Sequence, residues 1–181
     1  MRAPLTLPEA EKLQTLLRDR VEPGLTEAEF NRVEEHFGLT FADDHRVFLS
    51  AGLPVGRRWP DWRDGAEQTL LDQLAWPVEG LLFDVEKNGL WLGEWGERPR
   101  ELSDAVAVAQ QHLAGVPTLI PVFGHRYLPG IAGSWGLPVL SVVQSDIIVY
   151  GETLADYIQR EFANGPERYE AAEVPFWGQF L

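Results

Sequence analysis

The chain contains no cysteine, a single methionine and only two lysines. Without cysteine there is no disulfide scaffold, zinc knuckle, thiol nucleophile or iron–sulfur centre. No stretch approaches the roughly 18 uninterrupted apolar residues of a membrane span. Met1-Arg2-Ala3-Pro4 runs straight into a charged, helix-like segment, so a secretory leader is not expected and the predicted location is the cytoplasm. Nothing matches the phosphate loop G-x-x-x-x-G-K, and nucleotide-binding glycine fingerprints are missing. No two of the four histidines stand three or four residues apart, which excludes H-E-x-x-H. Asp61-Trp62-Arg63-Asp64-Gly65 lacks the ligand spacing and the late bidentate Glu of a calcium loop. No cofactor and no metal site are expected.

What is present describes one globular domain. The 181 residues are 45% hydrophobic and 24% charged, and a chain of this length buries about 70% of its unfolded surface. Acidic residues number 28 against 15 basic ones, giving a formal charge of −13. A field of that sign repels nucleic acid backbones and anionic lipid and attracts basic partners. The expected partner is therefore a basic protein, with no direct nucleic acid ligand and no membrane.

Hydrophobic spacing predicts a first helix over Glu9 to Arg20, broken at Glu22-Pro23-Gly24. Thr26-Glu27-Ala28-Glu29 reads as a capping box before the apolar stripe Phe30, Val33 and Phe37, and Gly38 suits a left-handed cap. A short helix follows from Asp43 or Asp44 to Leu49, burying Val47, Phe48 and Leu49, with the acidic pair complementing its N-terminus. Leu53 to Gly65 reads as irregular. Ala66 to Ala75 is predicted helical, stopping before Pro77, and Gly80 to Glu86 as a strand turning at Asn88-Gly89 into Leu90-Trp91-Leu92. Glu101 to Ala114 returns to helix. Strands are expected at Thr118 to Phe123, with Pro121 favouring an edge or bulge, and at Pro138 to Val143 and Asp146 to Tyr150 around the turn Gln144-Ser145. Thr153 opens a closing helix, and Ala163 to Leu181 forms an acidic tail anchored by Phe176, Trp177 and Phe180. Helices, then strands, then a helix indicate an α+β class.

Catalytic templates find little purchase. Ala132-Gly133-Ser134-Trp135-Gly136 is one residue short of a nucleophile elbow, but every histidine precedes Ser134, where the triad order requires one after it. One constellation stands apart. From Ala105 through Ser145 the sole Asp, Glu, Lys or Arg is Arg126, within Phe123-Gly124-His125-Arg126-Tyr127-Leu128-Pro129. A cation in such apolar surroundings needs a partner. Asp146, Asp84 or Glu86 could tie it into a buried clamp; alternatively His125, Arg126 and Tyr127 form an exposed recognition patch, Arg and Tyr being common interface anchors. Of the seven tryptophans, Trp59 and Trp62 are candidates for an exposed binding surface, because their Pro/Gly-rich loop offers little regular packing, or else for plugs that close the core from one side.

Leu25-Thr26-Glu27-Ala28-Glu29-Phe30 and the run from Val33-Glu34-Glu35-His36-Phe37-Gly38 to Val47-Phe48-Leu49 resemble the opening of the SUKH superfamily. Its pattern is a T-x-x-E helix ending in E-x-x-x-G, an acidic turn, and a Phe-Leu helix before a Gly-containing loop. Phe41-Ala42 stands here where Leu-Pro is usual, and His45 where Tyr is usual. Pro121 to Pro129 and Gln144 to Gly151 also resemble the bacterial branch, so the likeness spans most of Leu25 to Phe162. The resemblance implies a single domain over 1–181 with its core at about 25–162. It further implies a mixed, largely antiparallel sheet flanked by helices, a protein-binding cleft, and no conserved catalytic machinery. Bacterial members are commonly immunity proteins that neutralise toxins, often nucleases, while fungal ones regulate cell-wall assembly. Three expectations follow: a non-enzymatic immunity protein binding a basic toxin through Trp59, Trp62, His125, Arg126 and Tyr127; a regulatory adaptor in an endogenous pathway such as cell-wall or stress control; or a hydrolase using His125.

Overall fold

The computed structural model describes residues 3–165 and 173–181. In chain order the elements are α1 (Leu7–Gln14), β1 (Arg20–Glu22), α2 (Glu27–Phe37), α3 (Asp43–Ala51), β2 (Leu53–Val55), α4 (Glu67–Lys87), α5 (Leu102–Leu113), β3 (Leu119–Phe123), β4 (Arg126–Pro129), β5 (Val139–Val143), β6 (Asp146–Gly151) and α6 (Leu154–Ala163), with short 3-10 turns at Gly93–Trp95 and Trp177–Phe180. The class is α+β. Both sheets are antiparallel: a two-stranded pair of β1 with β2, and a four-stranded meander in the order β3-β4-β5-β6. Among the described residues no helix is long and apolar enough to cross a membrane.

Several local signals act where they were read. Thr26 accepts from the Glu29 N–H at 3.3 Å while the Glu29 carboxylate accepts from the Thr26 N–H at 2.8 Å, closing both halves of the capping box. Gly38 ends α2 at φ 63°. The strands around Gln144-Ser145 pair as a hairpin. The meander is covered on both faces. Ile120, Val122, Leu128 and Val139 join a cluster with Phe30, Phe48 and Leu154 from α2, α3 and α6. Leu119, Tyr127, Leu140, Val142, Ile147 and Val149 join a second cluster with Leu81 of α4, Ala109 of α5 and Trp177. Two covered faces explain why β3 and β4 are buried at every position rather than at alternate ones.

Three stretches differ from the expectation. The first helix stops at Gln14, and Arg20, read as its last residue, instead opens the strand Arg20–Glu22, which pairs with Leu53–Val55 from the loop read as irregular. The predicted strand and Asn88-Gly89 hairpin do not form: a single helix runs from Glu67 to Lys87, straight through Pro77, and Gly89 (φ 75°) lies just beyond its end. Val47 is half-buried, and α3 turns His45, Phe48 and Leu49 inward.

The passage through Pro77 has a specific cause. Proline lacks the N–H that would bond the Gln73 carbonyl, which ordinarily costs a helix about 3 kcal/mol. Here the Tyr127 hydroxyl donates to that carbonyl at 2.9 Å. Substituting Tyr127→Phe removes this donor alone. Urea unfolding of the variant is expected to show a loss of about 1–2 kcal/mol, and amide exchange should rise on both sides of Pro77. Unchanged stability and unchanged exchange would remove Tyr127 from this role.

Candidate functional site

Trp59 and Trp62 are not surface residues; their exposures are 5% and 2%. The Trp59 ring lies 4.7 Å from Phe123 and 5.6 Å from Phe162, and its Nε1 donates to Asp19 at 2.9 Å. Trp62 meets Phe41 edge to face at 5.3 Å. Arg63 secures the loop between them and α2: its guanidinium reaches both Glu29 oxygens, at 2.6 and 3.2 Å, and the carbonyls of Pro23 and Gly24. These hydrogen bonds from Arg63, followed by that from the Thr26 N–H, hold the Glu29 carboxyl down to about 2. An irregular backbone is thereby fixed by side chains, and the indoles close the core.

The acidic pair of α3 does more than complement a helix end. Asp44 accepts from the N–H groups of Leu5 at 2.7 Å and Gly136 at 2.6 Å, and Asp43 accepts from Gly133 at 3.1 Å. Both carboxylates pin the Gly133-Ser134-Trp135-Gly136 loop, in which the Ser134 hydroxyl donates to the Ile131 carbonyl.

His125, Arg126 and Tyr127 do not form one patch. Side chains alternate along a strand, so Tyr127 faces α4 while Arg126 faces α6, and both are buried, at 2% and 8% exposure. The carboxylates expected to pair with Arg126 are engaged elsewhere or not recruited. Asp84 accepts from the Ser145 N–H at 2.8 Å, the Ser145 hydroxyl and the Asn88 amide. Burial opposes its ionisation, but those hydrogen bonds outweigh it and its pKa is lowered. Glu86 pairs with Lys87 at 2.6 Å, and Asp146 makes no ion pair among the described residues. Arg126 instead donates to Ser141 Oγ at 3.0 Å and lies 3.7 Å over the Tyr150 ring. His125, half-buried at the β3–β4 turn, is held below the ordinary histidine value by burial first, then by Arg126 and Arg58.

The surface with the composition of a recognition site lies beside that turn. A groove of about 400 Å³ runs between α4 and the turn, with Asp72, Gln73 and Trp76 on one wall and Gly124, His125 and Tyr127 on the other. Trp76 is 49% exposed, yet its indole is oriented by a hydrogen bond from Nε1 to the Val142 carbonyl at 3.2 Å. From this groove a stripe continues along α4: Asp72, Trp76, Glu79, Phe83 and Glu86 are all exposed, Phe83 at 45%. Their spacing of four, three, four and three residues places them on one helix face, where acids alternate with aromatics. Sequence reasoning missed this stripe because it ended the helix at Ala75 and assigned 80–86 to a strand. The signal was available as the 3-4 spacing across Pro77.

Among the described residues no three His, Asp or Glu side chains converge on a metal position. No family model, curated protein or solved structure matches the chain.

Proposed function

We propose that this chain is a non-enzymatic, cytoplasmic protein-binding module whose partner is basic, and that it serves as an immunity protein neutralising a nuclease-type toxin. The observation that carries the reading is the α4 stripe, in which two half-exposed aromatics alternate with three carboxylates beside the groove. Lone exposed apolar residues are ordinary, but an oriented Trp flanked by acids is the complement of a lysine- or arginine-rich surface. The rings take cation–π contacts and the carboxylates take the charge. The net charge of −13 adds long-range attraction. The SUKH resemblance supports the immunity role, because its bacterial members commonly neutralise toxins, often nucleases, and carry no conserved catalytic machinery. A regulatory adaptor would use the same surface on an endogenous basic target.

The test is affinity capture from the native cell with the wild-type chain and with Trp76→Ala/Phe83→Ala, followed by kinetics on the purified partner. A basic protein is expected, bound at least about tenfold more weakly by the variant, each anchor contributing about 1–2 kcal/mol. Its association rate should fall steeply with added salt. A partner indifferent to both the substitutions and the salt would refute this surface. His125 and Asp72 share the groove, which gives the hydrolase reading its one structural support. Ester, phosphate or peptide hydrolysis lost in His125→Ala would replace the binding reading with that one.

A further inference from the structure

The groove beside the β3–β4 turn has Thr69, Asp72 and Trp76 on its α4 wall and Gly124 and His125 across from them, and its volume of about 400 Å³ lies within the range of ligand pockets. The Trp76 N–H is committed to the Val142 carbonyl at 3.2 Å, so the half-exposed indole offers only its ring to whatever enters. Asp72 stands four residues before Trp76, which makes the two side chains neighbours on the helix surface. Its Oδ1 accepts from the Gln68 amide at 2.7 Å, while Oδ2 has no partner among the described residues and the carboxylate makes no ion pair there. Along α4 no basic residue answers the acids: Glu67, Asp72, Glu79, Asp84 and Glu86 all precede its first cation, Lys87.

Two guanidiniums stand near the opposite wall, and both are turned away from the groove. Arg58 stacks 4.2 Å over Phe123, which belongs to the cluster on the α6 side, and Arg126 is turned to Ser141 and Tyr150. Burial, and then these two cations, lower the pKa of His125, so its imidazole is neutral at pH 7 and adds no charge to the groove. A positive group therefore seats against Asp72 and Trp76, away from the turn. The Tyr127 hydroxyl is spent as a donor on the Gln73 carbonyl. The Asp72 carboxylate, the Thr69 hydroxyl and one nitrogen of neutral His125 can each accept. Acceptors around an aromatic face suit a planar, donor-rich cation. Guanidinium meets both demands, since it stacks on an indole while its fork bonds a carboxylate, and it sheds water more readily than an ammonium. We propose that this groove receives one arginine side chain of the basic protein partner, its guanidinium stacked on Trp76 and hydrogen-bonded to Asp72. The inference deepens the protein-binding reading and rests on it: Trp76 and Asp72 read one residue, while Phe83, Glu79 and Glu86 meet the surface around it.

The experiment follows the Trp76 indole N–H resonance of the ¹⁵N-labelled full chain, assigned through Trp76→Phe. The chain is titrated at pH 7 with Nα-acetyl-arginine methylamide, and separately with the lysine and citrulline analogues, at matched ionic strength. A saturable shift is expected with arginine, several-fold weaker binding with lysine, and no saturation with citrulline, which keeps the shape without the charge. Asp72→Asn, an exposed substitution that retains an oxygen for Gln68, should weaken arginine binding about fivefold. No saturable shift with arginine, equal binding of lysine or citrulline, or an unchanged midpoint in Asp72→Asn would overturn the assignment. The two readings fail separately. A basic partner captured through Trp76 and Phe83, with no arginine binding in the titration, would sink the arginine groove alone. Arginine binding with no basic partner captured would sink the protein-binding reading and leave the groove selective for guanidinium.

Discussion

Lowering the pH from 7 to 5 is expected to remove about 2 kcal/mol of folding stability through His45 alone, and a further step to pH 4 about 1 kcal/mol more. His45 is 1% exposed on α3, its ring 5.2 Å from Phe41, and its Nδ1 has no hydrogen-bond partner. Burial pulls its pKa down to about 3 from the ordinary 6.5. The folded value lies below the unfolded one, so between those limits the unfolded chain takes up a proton that the folded chain refuses. Stability is full above pH 6.5 and falls by up to about 1.4 kcal/mol per unit as the pH drops towards 3. Urea unfolding at pH 7 and pH 5 measures this directly, and His45→Phe, which keeps a ring beside Phe41, should remove most of the difference, leaving the share of His125, whose pKa burial also lowers. An equal pH effect in the variant would assign it elsewhere. Glu29 does not confound the comparison. Its pKa is depressed to about 2 from 4.5, chiefly by Arg63, so the stability it adds is complete above 4.5 and is lost below that value.

Trp177→Ala is expected to cost about 3–5 kcal/mol, the range for emptying a buried aromatic site. Trp177 has no exposed surface although it lies four residues from the end of the chain. Its indole joins Leu81 of α4, Ala109 of α5 and Val149 of β6 in the second core cluster, and Nε1 donates to the Pro117 carbonyl at 2.7 Å. The 3-10 turn carrying it therefore closes one face of the meander. Domains of this size are commonly stable by only 5–15 kcal/mol, so the substitution removes a large fraction of the total. With about 2–4 °C per kcal/mol for a chain of this length, thermal unfolding should begin roughly 6–20 °C lower. Trp177→Phe, which retains much of the apolar area but not the N–H, should lose about 1–2 kcal/mol. A change below about 1 kcal/mol in the alanine variant would show that the C-terminal turn is dispensable. Of the expected tail anchors, Phe176 and Phe180 pack partly buried beside Trp177; residues 166–172 of that tail lie outside the described residues.

The two faces of the meander carry different chemistry. The α4 side presents acids and aromatics, suited to a basic macromolecule. The α6 side buries Arg126 against the Ser141 hydroxyl and the Tyr150 ring. Strand alternation at two consecutive residues makes the division, since Arg126 points one way and Tyr127 the other.

The sequence by itself determined several features that depend on near neighbours. The Thr26–Glu29 box, the Gly38 cap, Thr153 before α6 and the β5–β6 hairpin each join residues only a few positions apart. The α+β class follows from their order, and the acidic surface from composition. Tertiary structure decided what needed a partner far along the chain. The helix continues past Pro77 because a hydroxyl 54 residues from Gln73 fills its open carbonyl. Arg20–Glu22 becomes a strand because Leu53–Val55 lies beside it. Trp59 and Trp62 are buried because Phe123, Phe162 and Phe41 arrive to cover them. A hydrogen bond or a buried ring is satisfied by whatever is adjacent in space, and adjacency in space is settled only when the sheet has brought distant segments together.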